Sequence, residues 1–252
     1  MWKVSRKYLL GAAFAGVAAL GVTQAQAQGP WSGPYFGLHA GYGWGDAKSQ
    51  HDIGLGGIPP ANSVDTRGWL AGAQLGLNVQ VGQFVLGGEL SLSDLHGSGS
   101  RAGCSPLLFG VGVDTCRVQD DWLLLGMGKV GFAFSSNVMA YGTAGVAVAG
   151  VTTNDTFPGQ LSPNLFRASA VHNGWAYGAG IDYRIPLVPC SGHGMGCGSS
   201  WVVGLEYLHV NLDDATHNPS LLLPRQVSQD IDIIRANLSI KMDFCCGHGP
   251  LK

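Results

Sequence analysis

The most reactive side chains of the chain lie in two short clusters near its end. Cys190-x2-His193-x3-Cys197 and Cys245-Cys246-x-His248 bring four thiols and two imidazoles into the same region of sequence. Thiolate and neutral imidazole are the ligands that zinc and other soft metal ions favour, so these six residues form a candidate metal site if the fold unites the clusters. In an oxidising compartment the same cysteines form two disulfides instead. Adjacent cysteines bridge each other poorly, so Cys245 and Cys246 would reach across to Cys190 and Cys197, and this disulfide reading is preferred. Cys104 and Cys116, separated by eleven residues in one polar stretch, are disulfide candidates for a small closed loop. Such a bond would contribute about 3 kcal/mol by restricting the unfolded chain. The other histidines (His39, His51, His96, His172, His209 and His217) have no zinc-ligand spacing. Asp120-Asp121 and Asp213-Asp214 read as solvated charge at strand ends in preference to a divalent-ion site. No serine nucleophile elbow, P-loop or dinucleotide fingerprint stands between a strand and a helix, so no enzyme and no cofactor are expected.

Export sets the compartment. Lys3, Arg6 and Lys7 precede an apolar stretch from Tyr8 to Val22, and Ala25-Gln26-Ala27 supplies the small-x-small pattern of signal-peptide cleavage. That stretch is too short for the ~20 residues that span a bilayer as a helix. Residues 1–27 are therefore expected to be a signal peptide and 28–252 one domain. Losing three of 14 basic residues leaves 11 against 16 acidic ones, a net charge near −5, which argues against a nucleic-acid partner. Forty glycines, 12% charged residues and 46% apolar residues are unusual for a soluble enzyme of this length. No apolar run after Val22 is long enough to cross a membrane as a helix, so the greasy residues are dispersed in short pieces.

Those pieces alternate. Eight segments with a period of two are bounded by Gly, Asn, Ser or Pro: Gly33–Gly45, Gly68–Gln80, Phe84–Leu95, Asp121–Phe134, Asn137–Val151, Asn173–Ile185, Ser200–Leu212 and Ile231–Phe244. In the first, Phe36, Leu38, Ala40, Tyr42 and Trp44 share a face; in the last, Ile234, Ala236, Leu238, Ile240, Met242 and Phe244 do. Tight turns at Val81–Gln83 and Ser135–Ser136 alternate with polar stretches at 46–67, 96–120, 152–172 and 213–230, with Pro186–Ser199 as an overlong third turn. Aromatics gather at strand ends (Trp44, Trp69, Phe84, Trp122, Trp175, Trp201 and Phe244). Short turns at one end, long loops at the other and aromatic girdles predict an all-β, eight-stranded antiparallel up-and-down transmembrane β-barrel, with a short tail at 245–252. Both cysteine clusters then fall on the rim that carries the short turns.

This register aims the apolar faces at lipid and points Glu89, Lys129, Asp182, Arg184, Glu206, Arg235, Lys241 and Asp243 inward. An eight-stranded barrel has only enough interior for side chains to fill it, so four acids and four bases there are expected to pair as a structural plug rather than line an open pore.

The segments "GPYFGLHAGYGWGDA", "GAQLGLNVQVGQFVLGGELSLS", "VMAYGTAGVAVAG", "GWAYGAGIDYRI" and "WVVGLEYLHVNL" in this order resemble the outer-membrane immunogenic proteins of alphaproteobacteria, within the OmpA-like β-barrel superfamily. The resemblance runs from Trp31 to Phe244. It implies a bacterial outer-membrane location, contacts with outer-membrane lipid and lipopolysaccharide, exposed loops that could meet a host or surface ligand, and a mainly structural role. Phe244 resembles the terminal aromatic read by the barrel-assembly machinery. The tail after it and the inserted "PCSGHGMGCG" depart from the pattern. A narrow gated channel is the alternative reading. An outer-membrane lipid hydrolase or acyl transferase is weaker still, because His209 has no serine on its strand face.

Overall fold

The computed structural model describes residues 29–51, 62–102, 115–156, 167–188, 194–217 and 225–245, and these form eight strands. They are β1 (Gly33–His51), β2 (Asn62–Val81), β3 (Phe84–Ala102), β4 (Thr115–Ala133), β5 (Val138–Thr156), β6 (Arg167–Val188), β7 (Gly194–His217) and β8 (Arg225–Cys245). Each strand pairs antiparallel with its chain neighbour, and β1 pairs with β8 to close the ring. Closure leaves no edge strand, so the backbone of the wall is hydrogen-bonded strand to strand, as a lipid-spanning sheet requires. The β2–β3 turn is Gly82-Gln83, and Gly82 has φ +62°, the left-handed geometry that suits a tight hairpin to strand twist. At the β4–β5 turn, Ser135 Oγ accepts from the amides of Asn137 (3.2 Å) and Val138 (3.0 Å).

The strands are longer than the alternating segments. Residues 46–51, 62–67, 96–102, 115–120, 152–156, 167–172, 213–217 and 225–230, expected as loop, continue the ladders. The segment limits mark where apolar residues stop facing lipid. Beyond that height the outward side chains turn polar, as at Lys48, Asp65 and Arg117, so the lipid-facing pattern stops while pairing continues. Cys116 accordingly belongs to β4, opposite Arg101 and Asp155, not to a loop. The third turn likewise shrinks, because β6 runs to Val188 and β7 begins at Gly194, with register shifts at Pro186/Val188 and Met195/Gly198 absorbing the insertion.

Outward-facing Phe36, Leu38, Leu75, Leu86, Leu92, Val130, Ile181, Val203, Leu205, Leu238 and Met242 form an apolar belt, rimmed above by Trp44, Trp69 and Trp175. The interior is layered. At the turn end Trp31, Val85, Ala133, Met139, Tyr141 and Val202 cluster. Trp31, only 1% exposed, comes from the segment before β1 and crosses this opening, its amide donating to Gln80 Oε1 (3.0 Å) and its indole to the Ser135 carbonyl (3.3 Å). The charged residues follow. Above them lies a wide apolar layer that includes Leu70, Leu95, Leu123, Leu125, Met127, Leu208, Val210, Ile231 and Ile233. A polar layer and a small apolar cluster of Ala47, Val64, Val118 and Val151 complete the outer extension. The expected plug of paired charges thus fills only part of the interior. The apolar layers arise because β4, β7 and β8 place Leu123, Leu125, Leu208, Val210, Ile231 and Ile233 on their inward faces.

Candidate functional site: the filled lumen

All eight charged residues singled out above lie inside the ring, held there by the two-residue repeat of β3 to β8. Arg235 is the hub. Its guanidinium donates from Nε to Glu206 Oε2 (2.6 Å), from Nη2 to Glu89 Oε1 (2.7 Å) and from Nη1 to Ser91 Oγ (3.2 Å). Glu89 also takes the Tyr35 hydroxyl (2.7 Å) and Lys129 Nζ (3.3 Å), both on Oε2. Lys129 sits 4.1 Å from the centre of the Tyr141 ring. Asp182 accepts from Asn237 and forms no ion pair among the described residues. Nearer the turns, Arg184 donates to Asp243 Oδ2 (2.9 Å) and Ser200 Oγ (3.0 Å), while Lys241 donates to Asp243 Oδ1 and to the Ser32 carbonyl (2.9 Å). The three separate partners of Arg235 matter because a buried ion holds its place only when its donors and acceptors are satisfied.

Some polar constellations were invisible in sequence. In the outer extension, Asp120 is buried and takes Gln229 Nε2 (3.2 Å), which also donates to Thr66 Oγ1 (3.2 Å). The expectation of solvated rim charge fails for Asp120, because β4 continues above Trp122 through a register shift that turns this side chain inward. Burial raises its carboxyl pKa to about 6. His172 on β6 and His217 on β7 also meet inside, with Nε2 atoms 3.0 Å apart. Their separation of 45 residues hides this contact from any spacing rule. Outside, His209 Nδ1 lies 2.8 Å from Asp232 Oδ1, which also takes the Tyr207 hydroxyl (2.6 Å).

The cysteine clusters fall largely outside the described residues. Cys104, Cys190, His193, Cys246 and His248 lie outside them; Cys116, Cys197 and Cys245 are placed only as strand backbone, with Cys245 opposite Gly194. Among the described residues, no three His, Cys, Asp or Glu side chains converge as metal ligands.

A closed eight-stranded ring with a greasy outside, an aromatic rim and a filled interior defines an outer-membrane β-barrel protein. The chain belongs to the family of outer membrane protein beta-barrel domains, which it matches over residues 12–229. Within that family it groups with the outer-membrane immunogenic proteins. It is 26% identical over 190 residues to the 31 kDa outer-membrane immunogenic protein of Brucella melitensis biotype 1, covering 72% of this chain and 71% of the relative. It is 30% identical over 155 residues to the 25 kDa outer-membrane immunogenic protein of Brucella canis, covering 62% of this chain and 59% of the relative. Among solved structures, it is similar to the outer membrane protein OprG of Pseudomonas aeruginosa at 12% identity and a TM-score of 0.49, covering 86% of this chain and 99% of that one. The protein resides in the bacterial outer membrane.

Proposed function

We propose that this protein is a structural barrel that supports the envelope and displays its loops at the cell surface, without conducting ions and without catalysing a reaction. One observation carries this reading: the ion-paired layer is sandwiched between two apolar layers. The void at its turn end, lined by Trp31, Tyr35, Lys129, Asp182 and Lys241 among others, is about 10 Å³. That volume is on the order of a single water molecule. Conduction would require breaking the Arg235 pairs and also wetting the Leu123–Leu125 and Leu208–Val210 layer.

The same reading makes residues 1–27 a leader removed on export and 28–252 the barrel domain. It has the chain inserted by the barrel-assembly machinery, contacting lipopolysaccharide and offering its loops to host or surface ligands. It also pairs Cys104 with Cys116, and Cys190 and Cys197 with Cys245 and Cys246. The decisive test is a planar-bilayer recording of the purified protein. No sustained conductance is expected, and large steady channels would overturn the proposal in favour of the narrow channel.

A further inference from the structure

The paired imidazoles of the outer extension have an arrangement that a purely structural role leaves unexplained. His172 and His217 are 0% and 1% exposed, and their rings meet through Nε2. The other nitrogen of each ring faces the main chain. His172 Nδ1 is 3.1 Å from the Asp213 carbonyl, and His217 Nδ1 is 3.4 Å from the Ala168 carbonyl and 3.2 Å from Thr153 Oγ1. A carbonyl only accepts, so Nδ1 of His172 carries its proton and Nε2 presents a lone pair. His217 has two choices. With its proton on Nε2 it donates to His172 and accepts the Thr153 hydroxyl at Nδ1. With its proton on Nδ1 it donates to Ala168, and two Nε2 lone pairs then face each other across the lumen.

That second tautomer is the one in which imidazoles bind metal, each ring oriented by an Nδ1–H donated to a backbone carbonyl. We propose that His172 and His217 hold a borderline first-row divalent cation, Zn²⁺ or Cu²⁺, between their Nε2 atoms. Binding moves one proton within the His217 ring, from Nε2 to Nδ1, and costs no net proton. Two nitrogens at 2.0–2.1 Å from one tetrahedral ion sit about 3.3 Å apart, so the observed 3.0 Å need open by only a few tenths of an ångström. The remaining positions go to water. Burial lowers the His172 pKa, which keeps its lone pair available at neutral pH; the hydrogen bond to the Asp213 carbonyl and the charge of Asp214 oppose that shift. Thr153 on β5 brings its hydroxyl and Ala168 on β6 its carbonyl to His217, and the Asp214 carboxylate acts on His172.

The test uses the full chain folded in detergent, with free thiols alkylated, and ZnCl₂ or CuCl₂ alone as the probe. One ion per chain is expected at pH 7.5, with bound Cu²⁺ showing hyperfine coupling to two imidazole nitrogens in its electron paramagnetic resonance spectrum. Binding should be lost in His172→Ala and His217→Ala and kept in His209→Ala. Because the copper spectrum is read on the unaltered protein, a variant that fails to fold does not remove the test. Stoichiometry unchanged in the two lumen variants, a copper spectrum without two imidazole nitrogens, or no binding at pH 7.5 would each overturn the assignment and leave the pair as a proton-sharing contact only.

Discussion

At the scale of single residues, Arg235 and Asp120 make opposite predictions. Arg235→Ala strands Glu206, whose ion pair among the described residues is with Arg235, and leaves Glu89 with Lys129 as its ion-pair partner. An uncompensated buried charge costs about 3–5 kcal/mol, so the variant should lose its heat-resistant fast migration on electrophoresis at a lower temperature than the parent. Asp120 is a buried acid with no ion pair among the described residues, its carboxyl raised to about 6 from 3.8. The folded protein therefore keeps a proton that the unfolded chain releases, and stability falls as pH climbs between these two values. The deficit is complete above about 6. Asp120→Asn should resist urea better than the parent at pH 7.5, by roughly 2–3 kcal/mol, and the advantage should vanish below about pH 4. The first prediction could be framed from sequence, because Arg235 sits at an inward position of a clean alternation. The second could not, because Asp120 lies past a register shift that no local pattern announces.

Among the elements, turns and strand lengths were legible to different degrees. Gly82 marks a turn visible from the Val81–Gln83 punctuation, and its conformation is the reason glycine is there. A Cβ on it would meet nothing within 4 Å, so a substitution probes the backbone alone. Gly82→Val should lower refolding stability by on the order of 1–2 kcal/mol, read from urea titrations in detergent, without altering the folded spectrum. Gly145 is a different case, because a Cβ there would collide with the Gly126 carbonyl and come within 2.8 Å of Met127 Cα. Strand ends were much harder to read. Trp44, Trp69, Trp122 and Trp175 indicate where lipid stops, whereas the ladders continue past them through residues such as Lys48, Ser63, Gln119 and Thr152. Side-chain polarity reports the solvent outside a strand, and hydrogen-bonded pairing does not depend on it.

For the whole molecule, the order of layers decides whether the lumen conducts. Removing charge alone should leave it closed: Arg235→Ala is expected to show no steady current in a planar bilayer, because the apolar layer above stays intact. Replacing Leu125 and Leu208 with Ser in the same chain should admit water through that layer and raise brief openings above the parent's background. A silent double variant would locate the seal elsewhere. The number of strands, their faces and the eight charges at the level of the lipid belt could be read along the chain, since side-chain direction in a regular strand depends only on odd or even position. Pairing across the ring could not be read in this way. The meeting of Arg235 with Glu89, of His172 with His217, and of Trp31 with the turn-end opening depends on closure, tilt and register shifts. These bring together residues far apart in sequence, and only the folded ring determines them.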